Sequence, residues 1–194
     1  MSTSSYKTDA LEAKKKLEQI SPTMCLAKWN QTSLHLPTGL TNSCYHPPLH
    51  KMDADAVKLN PAALHNTQEK LNQRQQMLEG KQPEGCSYCW NIEKTGEMSD
   101  RHYRSGEPWA MQDFEDIRKN PIDEHWTPRY VEVNFNNACN LKCSYCSPQF
   151  STTWGKEIDR YGQYPTSPPH NAPEHFQGRR RPIPNREDNP YVTA

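Results

Sequence analysis

Apolar residues fall in short, separated groups along this chain, and each group predicts a short element. Tyr130-Val131-Glu132-Val133-Asn134-Phe135 alternates, which predicts a strand with Val131, Val133 and Phe135 on one face. Residues 27–36 have strand-like patches at Trp29, Leu34 and Leu36. Pro37-Thr38-Gly39 signals a turn, and residues 40–45 return as the second strand of a hairpin. Residues 9–20 space Leu11, Leu17 and Ile20 as a weakly amphipathic, solvated N-terminal helix that Ser21-Pro22 would end. Residues 52–59 form one short helix, and Asn60-Pro61 supplies a cap and a first helical position. Residues 66–79 are a stronger helix with Leu71, Met77 and Leu78 as apolar positions, stopped at Gly80 with Pro83 beyond. Residues 110–119 place Met111, Phe114 and Ile117 in a packing stripe, and residues 151–161 place Trp154 and Ile158 on a helix capped by Ser151. From Gly162 onward the periodicity is lost; Pro165 to Pro190 is a proline-rich tract expected to lack a core.

Composition fits this picture. A chain of 194 residues with 33% hydrophobic residues, 17 prolines and a mean hydropathy of -1.06 is poor material for one large core. Small stapled modules are expected instead. Lys+Arg and Asp+Glu balance at 23 each, which gives no electrostatic footprint for nucleic acid or an anionic membrane. Arg179-Arg180-Arg181 is read as a solvated basic tract. No apolar run reaches the length of a membrane span, and the polar first 20 residues lack the apolar region of a secretory signal. A cytoplasmic, reducing setting is expected, where clustered cysteines more often mean metal or redox chemistry than disulfides.

The seven cysteines divide as four plus three. Cys139, Cys143 and Cys146 are spaced C-x3-C-x2-C on the loop that leaves the alternating strand, where α/β folds place their chemistry. Three thiols cannot pair off as disulfides without a remainder. They can hold three irons of a 4Fe–4S cluster and leave the fourth open to another ligand. Zinc is an alternative, although a closed structural zinc site takes four ligands, and the nearest downstream histidines, His170 and His175, lie in the proline-rich tract. Cys86-Ser87-Tyr88-Cys89 is a Cys-x2-Cys knuckle, whose spacing lets both sulfurs face one metal. Cys25 and Cys44, at the two ends of the expected hairpin, can join it to make a four-thiolate site for one cluster or one zinc. The other histidines are read as surface or packing residues, with His46 the nearest to an exception.

The loop Cys139-Asn140-Leu141-Lys142-Cys143-Ser144-Tyr145-Cys146, with an aromatic before its last cysteine and a strand before its first, resembles the cluster loop of radical S-adenosylmethionine (SAM) enzymes. Cys25 with Trp29, Gly39, Cys44, Met77-Leu78-Glu79-Gly80 and Pro83 to Trp90 resemble the twitch domain, a shortened SPASM domain with an auxiliary iron–sulfur cluster. In relatives that domain follows the barrel; here it precedes it. The likeness extends loosely to Ser99 and Arg101, which are read from their residue types as a charged surface pair.

The resemblance implies an α+β chain. A small cysteine-ligated auxiliary domain, hairpin plus helices, is followed by the first β-α unit of a truncated partial (β/α) barrel. Its expected parts are an N-terminal polar helix or tail (1–22), the auxiliary domain (23–95), a linker with a helix (96–127), the start of the barrel with the cluster loop (128–162) and a proline-rich disordered tract (163–194). One strand–helix unit takes about 30 residues, and the family's glycine-rich stretch after the second strand has no match. The chain is therefore expected to be an N-terminal part of a longer or split enzyme, with no turnover alone. Cys139, Cys143 and Cys146 would ligate the SAM-binding 4Fe–4S cluster, with Tyr145 packed near SAM. Cys25, Cys44, Cys86 and Cys89 would hold an auxiliary 4Fe–4S cluster. The implied activity is reductive cleavage of SAM to a 5′-deoxyadenosyl radical that abstracts hydrogen from substrate, a peptide or protein. The implied partner is an electron donor such as reduced flavodoxin or ferredoxin. Two other classes remain open: a non-enzymatic iron–sulfur electron-transfer protein and a zinc-stapled interaction module.

Overall fold

The computed structural model of the chain describes residues 3–146, 150–162 and 188–193. The chain divides into two units. The first comprises residues 1–34 and 40–132, and the second residues 35–39 and 133–194. Helices α1 (Thr3–Leu17), α2 (Ala27–Asn30), α3 (Ala54–Leu59), α4 (Gln68–Leu78), α5 (Ser87–Glu93), α6 (Asp100–Gly106), α7 (Pro108–Met111) and α8 (Phe114–Lys119) belong to the first unit, and α9 (Thr152–Tyr161) to the second. Strands β1 (Gln31–His35), β2 (Leu40–Asn42), β3 (His50–Lys51) and β4 (Tyr130–Asn134) form a small sheet in the order β3-β2-β1-β4. The fold is mixed, helices with a small sheet, as an α+β reading requires. The proline-rich tract, with its arginine run, His170 and His175, lies outside the described residues except for 188–190.

The caps form where the side chains for them occur. Asp53 Oδ1 accepts from Asp55 N and Ala56 N at the start of α3, Asn60 Oδ1 from Ala62 N, and Thr67 Oγ1 from Lys70 N at the start of α4. Gly80 ends the α4 region with φ +72. The hairpin turn uses Gly39 at φ +66, where an added Cβ would also overlap the ring of Tyr191 within the second unit. Asn189 Nδ2 donates to Leu36 O at 2.8 Å there.

Three expectations change. The N-terminal helix is a packed element, not a solvated one: Ala10, Ala13 and Leu17 are buried on a face that meets α6, while Leu11 is exposed. Two alanines make that face flat enough for close helix contact, a signal weaker than a leucine stripe. Residues 96–127, expected as a linker with one helix, supply α6, α7 and α8, and Ala110, Phe114 and Ile117 join Trp29, Met77 and Trp90 in the core. The helix expected over 110–119 is broken because Asp113 turns inward. It accepts from Asn30 Nδ2 at 3.0 Å and from Arg129 Nε and Nη2 at 2.8 Å each.

The face of β4 is also reversed. Val131 and Phe135, expected to pack, are 48% and 65% exposed. Tyr130, Glu132 and Asn134 are half-buried instead, and the Glu132 carboxylate accepts from Ser33 Oγ, Tyr45 Oη and Tyr130 Oη. A half-buried acid with three donors outweighs the alternation.

The first unit also buries neutral histidines. Burial holds His50 and His102 down at about 4, from a usual 6.5, and pushes His65 well below that value. The unfolded chain then binds more protons than the folded one between pH 6.5 and 4. Stability is full above pH 6.5 and is lost as pH falls through that window, by about 1.4 kcal/mol per unit of depression. The melting temperature is expected to stay level from pH 8 to 7 and to fall steadily from 6.5 to 4. A profile flat to pH 4.5 would contradict this account of the buried imidazoles.

Candidate functional site

The four cysteines of the first unit come from three separate stretches, and the fold brings them to one cavity. Cys25 precedes α2, where Leu26 N donates to Ser105 Oγ at 3.0 Å and Met24 O accepts from Arg101 Nη1 at 2.7 Å. Cys44 follows β2 at the hairpin exit. Cys86 ends a single 3-10 turn, and Cys89 lies in the first turn of α5, three residues on, which puts both on one helical face. Trp90 Nε1 donates to Pro83 O at 3.0 Å and fixes the start of that turn. All four cysteines line one cavity. Lys28, Gln31, His46, Asp100, Arg101 and Arg104 line it too.

Electrostatics confirm that the thiols are neighbours. Burial pushes Cys44 up to about 11 and Cys89 up to about 12, and raises Cys25. Cys86 raises Cys25 further, and Cys25 raises both Cys44 and Cys89. Lys28 works in the opposite direction on Cys25 and Cys44. Cys25, Cys44 and Cys89 are protonated thiols at neutral pH, so taking up a metal would release protons. None of the seven cysteines forms a disulfide. Among the described residues no group of three or more His, Cys, Asp or Glu side chains is arranged to hold a single metal ion. A tetrahedral zinc with Zn–S of about 2.3 Å needs its sulfurs close together.

Arg101 is the element that ties this wall together. Its side chain is buried, its Nε and Nη2 donate to the two oxygens of Glu93 at 2.9 and 2.7 Å, and its guanidinium lies over Trp90. Ser99 Oγ donates to Glu93 at 2.5 Å. Ser99 and Arg101, read as a charged surface pair, are instead buried supports of the Cys89 helix. His46 stacks on Tyr88 with ring centroids 3.7 Å apart, and its Nε2 lies 2.7 Å from Asp100 Oδ2, so it belongs to the cavity mouth.

No protein-family model, curated protein or solved structure matches the chain.

The second set of thiols lies in the second unit, where α9 holds the loop by its backbone. The Cys139 carbonyl accepts from Thr152 Oγ1 at 3.1 Å and Thr153 Oγ1 at 3.0 Å. Ser151 Oγ donates to Leu141 O at 2.7 Å while accepting from Trp154 N, and Trp154 Nε1 donates to Cys143 O at 3.1 Å. Cys146 N donates to Cys143 O at 3.0 Å. These contacts fix the carbonyls of the loop, and its three cysteines are half-buried and form no disulfide. Tyr145 is 82% exposed, and a hydrogen bond with Cys143 raises its phenol.

Sequence reading missed the buried cations behind the four-cysteine cavity. Lys28, Lys70 and Arg74 are at most 2% exposed. Lys70 Nζ donates to Thr32 Oγ1 and Thr41 Oγ1 at 2.8 and 3.0 Å, which links α4 to the hairpin. Burial, then the charges of Arg74 and Lys28, push Lys70 well below the lysine range; burial brings Arg74 to about 9. Lys70 and Arg74, with Leu71 and Met77, follow the helix period on α4, but hydropathy counts all three cations as solvent-facing.

Proposed function

We propose that the chain carries two thiolate-bound 4Fe–4S sites of a radical SAM protein. Cys139, Cys143 and Cys146 would hold the SAM-binding cluster, and Cys25, Cys44, Cys86 and Cys89 an auxiliary one. The observation that carries the reading is the convergence of four cysteines from three stretches on one cavity. It is supported by the three-cysteine loop, whose carbonyls are pinned by α9. The fold reading follows: β4, the loop and α9 make the first β-α unit of a partial barrel.

In this reading each part of the chain has a defined task. When bound, the loop cluster would supply the electron for reductive cleavage of SAM and hence for hydrogen abstraction from a peptide or protein. Cys139, Cys143 and Cys146 would hold that cluster. Tyr145, exposed on the loop, would offer a face for SAM to pack against. In the first unit Arg101 and Trp90 position Cys89, and the cavity walls shield the second site from water. A reduced flavodoxin or ferredoxin would deliver the electron.

The test does not need turnover. The chain is reconstituted with iron and sulfide without oxygen, reduced, and its electron paramagnetic resonance spectrum recorded before and after adding SAM. SAM is expected to change the signal of the loop cluster, and the change to be absent from a Cys139/Cys143/Cys146→Ala variant. A spectrum that SAM leaves unchanged would contradict the SAM-binding role.

A further inference from the structure

Three cations are buried behind the four-cysteine cavity, and each is hydrogen-bonded to neutral partners. Lys28 Nζ donates to Gln73 Oε1 at 2.6 Å, and Lys70 Nζ to two threonine hydroxyls. Arg74 donates to Lys28 O at 3.3 Å and Asn66 Oδ1 at 2.8 Å, lies 2.8 Å from His65 Nε2 and sits over Trp29. Among the described residues none of the three is in a salt bridge. The carboxylates whose field reaches them, Glu69 for Lys70 and Asp123 for Arg74, make no hydrogen bond to them. Arg101, the other cation of the wall, is already matched by Glu93. A buried charge without a partner is strongly unfavourable, and three close together repel one another.

Lys28 lines the cavity with the four cysteines and lies near Cys25 and Cys44; Lys70 lies near Cys44 as well as Glu69. Gln31 adds a buried amide to the same wall, with an Oε1 that has no partner among the described residues. Charge arithmetic identifies what would balance the array. Four thiolates around a doubly positive core, whether an oxidised 4Fe–4S cube or a zinc ion, carry a net charge of minus two; one added electron on the cube makes it minus three. Neutral thiols offer no compensation.

We infer that Lys28 is the counter-cation of the four-thiolate site and raises the reduction potential of the group bound there. The inference rests on the thiolate reading of that cavity. Lys28 shares no carboxylate among the described residues, and Gln73 holds its Nζ while the residue lines the cavity, so its charge is not consumed in a salt bridge. A positive charge held in a low-dielectric wall stabilises the more negative, reduced state over the oxidised one.

The test uses the full chain carrying Cys139/Cys143/Cys146→Ala, so that only the four-thiolate site takes iron, with Lys28, Lys28→Met and Lys28→Arg compared. Each is reconstituted without oxygen, its iron counted and its midpoint potential read by spectroscopic redox titration. Lys28→Met is expected to disfavour reduction at least tenfold, a fall of about 59 mV for one electron, while Lys28→Arg stays near the parent. An unchanged midpoint in Lys28→Met with iron retained would overturn the inference. If Lys28→Met takes no iron but Lys28→Arg does, the charge itself is required and the inference holds. If both fail alike, packing rather than charge governs, and it falls. A parent that takes zinc but no iron rejects the cluster reading separately. Only the counter-cation half of the inference is then tested, by zinc affinity, at least tenfold weaker in Lys28→Met if it holds and equal if it does not. A parent that takes neither metal rejects both.

Discussion

Arg101→Ala is expected to destabilise the first unit by about 3–5 kcal/mol, the cost of breaking a buried ion pair by removing one partner. The guanidinium satisfies both Glu93 oxygens and the Met24 carbonyl, and it covers Trp90. Removing it leaves a carboxylate whose side chain is only 20% exposed without its cation. The loss should appear in urea unfolding of the metal-free chain, followed by tryptophan fluorescence. Arg101→Met combined with Glu93→Gln should recover much of it, because the stranded charge is then gone. A single variant within about 0.5 kcal/mol of the parent would show that the pair does not support the wall.

A Cys86→Ser/Cys89→Ser variant is expected to lose the whole auxiliary site while leaving the loop site loaded. Both thiols lie on one helical face, and Cys25 and Cys44 alone supply half of a four-thiolate set. Iron content after reconstitution should fall from about eight to about four per chain, and the SAM-dependent change of spectrum should survive. Loss of both sites together would mean that the substitutions unfold the first unit, which circular dichroism of the metal-free variant would reveal. Retention of all the iron would remove Cys86 and Cys89 from the ligand set.

Much of the first unit could be read from turn and cap residues. Gly39, Asp53, Asn60, Thr67 and Gly80 each mark a boundary that the fold uses, because these signals are local and depend on a few atoms of one side chain. The convergence of Cys25 and Cys44 with Cys86 and Cys89 follows from the same punctuation, since the hairpin turn at Gly39 brings the first two close. Long-range polar packing was not legible. Nothing in the residue order says that Lys28, Lys70 and Arg74 turn inward, that Asp113 splits a helix to meet Asn30 and Arg129, or that Glu132 draws the polar face of β4 inward. Each depends on a partner 16 or more residues away, and hydropathy assigns a charged residue to solvent whatever its partner.

The most direct test of the two-site reading is an iron and zinc count on the anaerobically reconstituted chain and on its Cys139/Cys143/Cys146→Ala variant. The account predicts about eight irons in the parent, about four in the variant, and no stoichiometric zinc in either. A colourless parent that holds only zinc, with no iron to lose in the variant, would contradict it and leave a zinc-stapled module in its place.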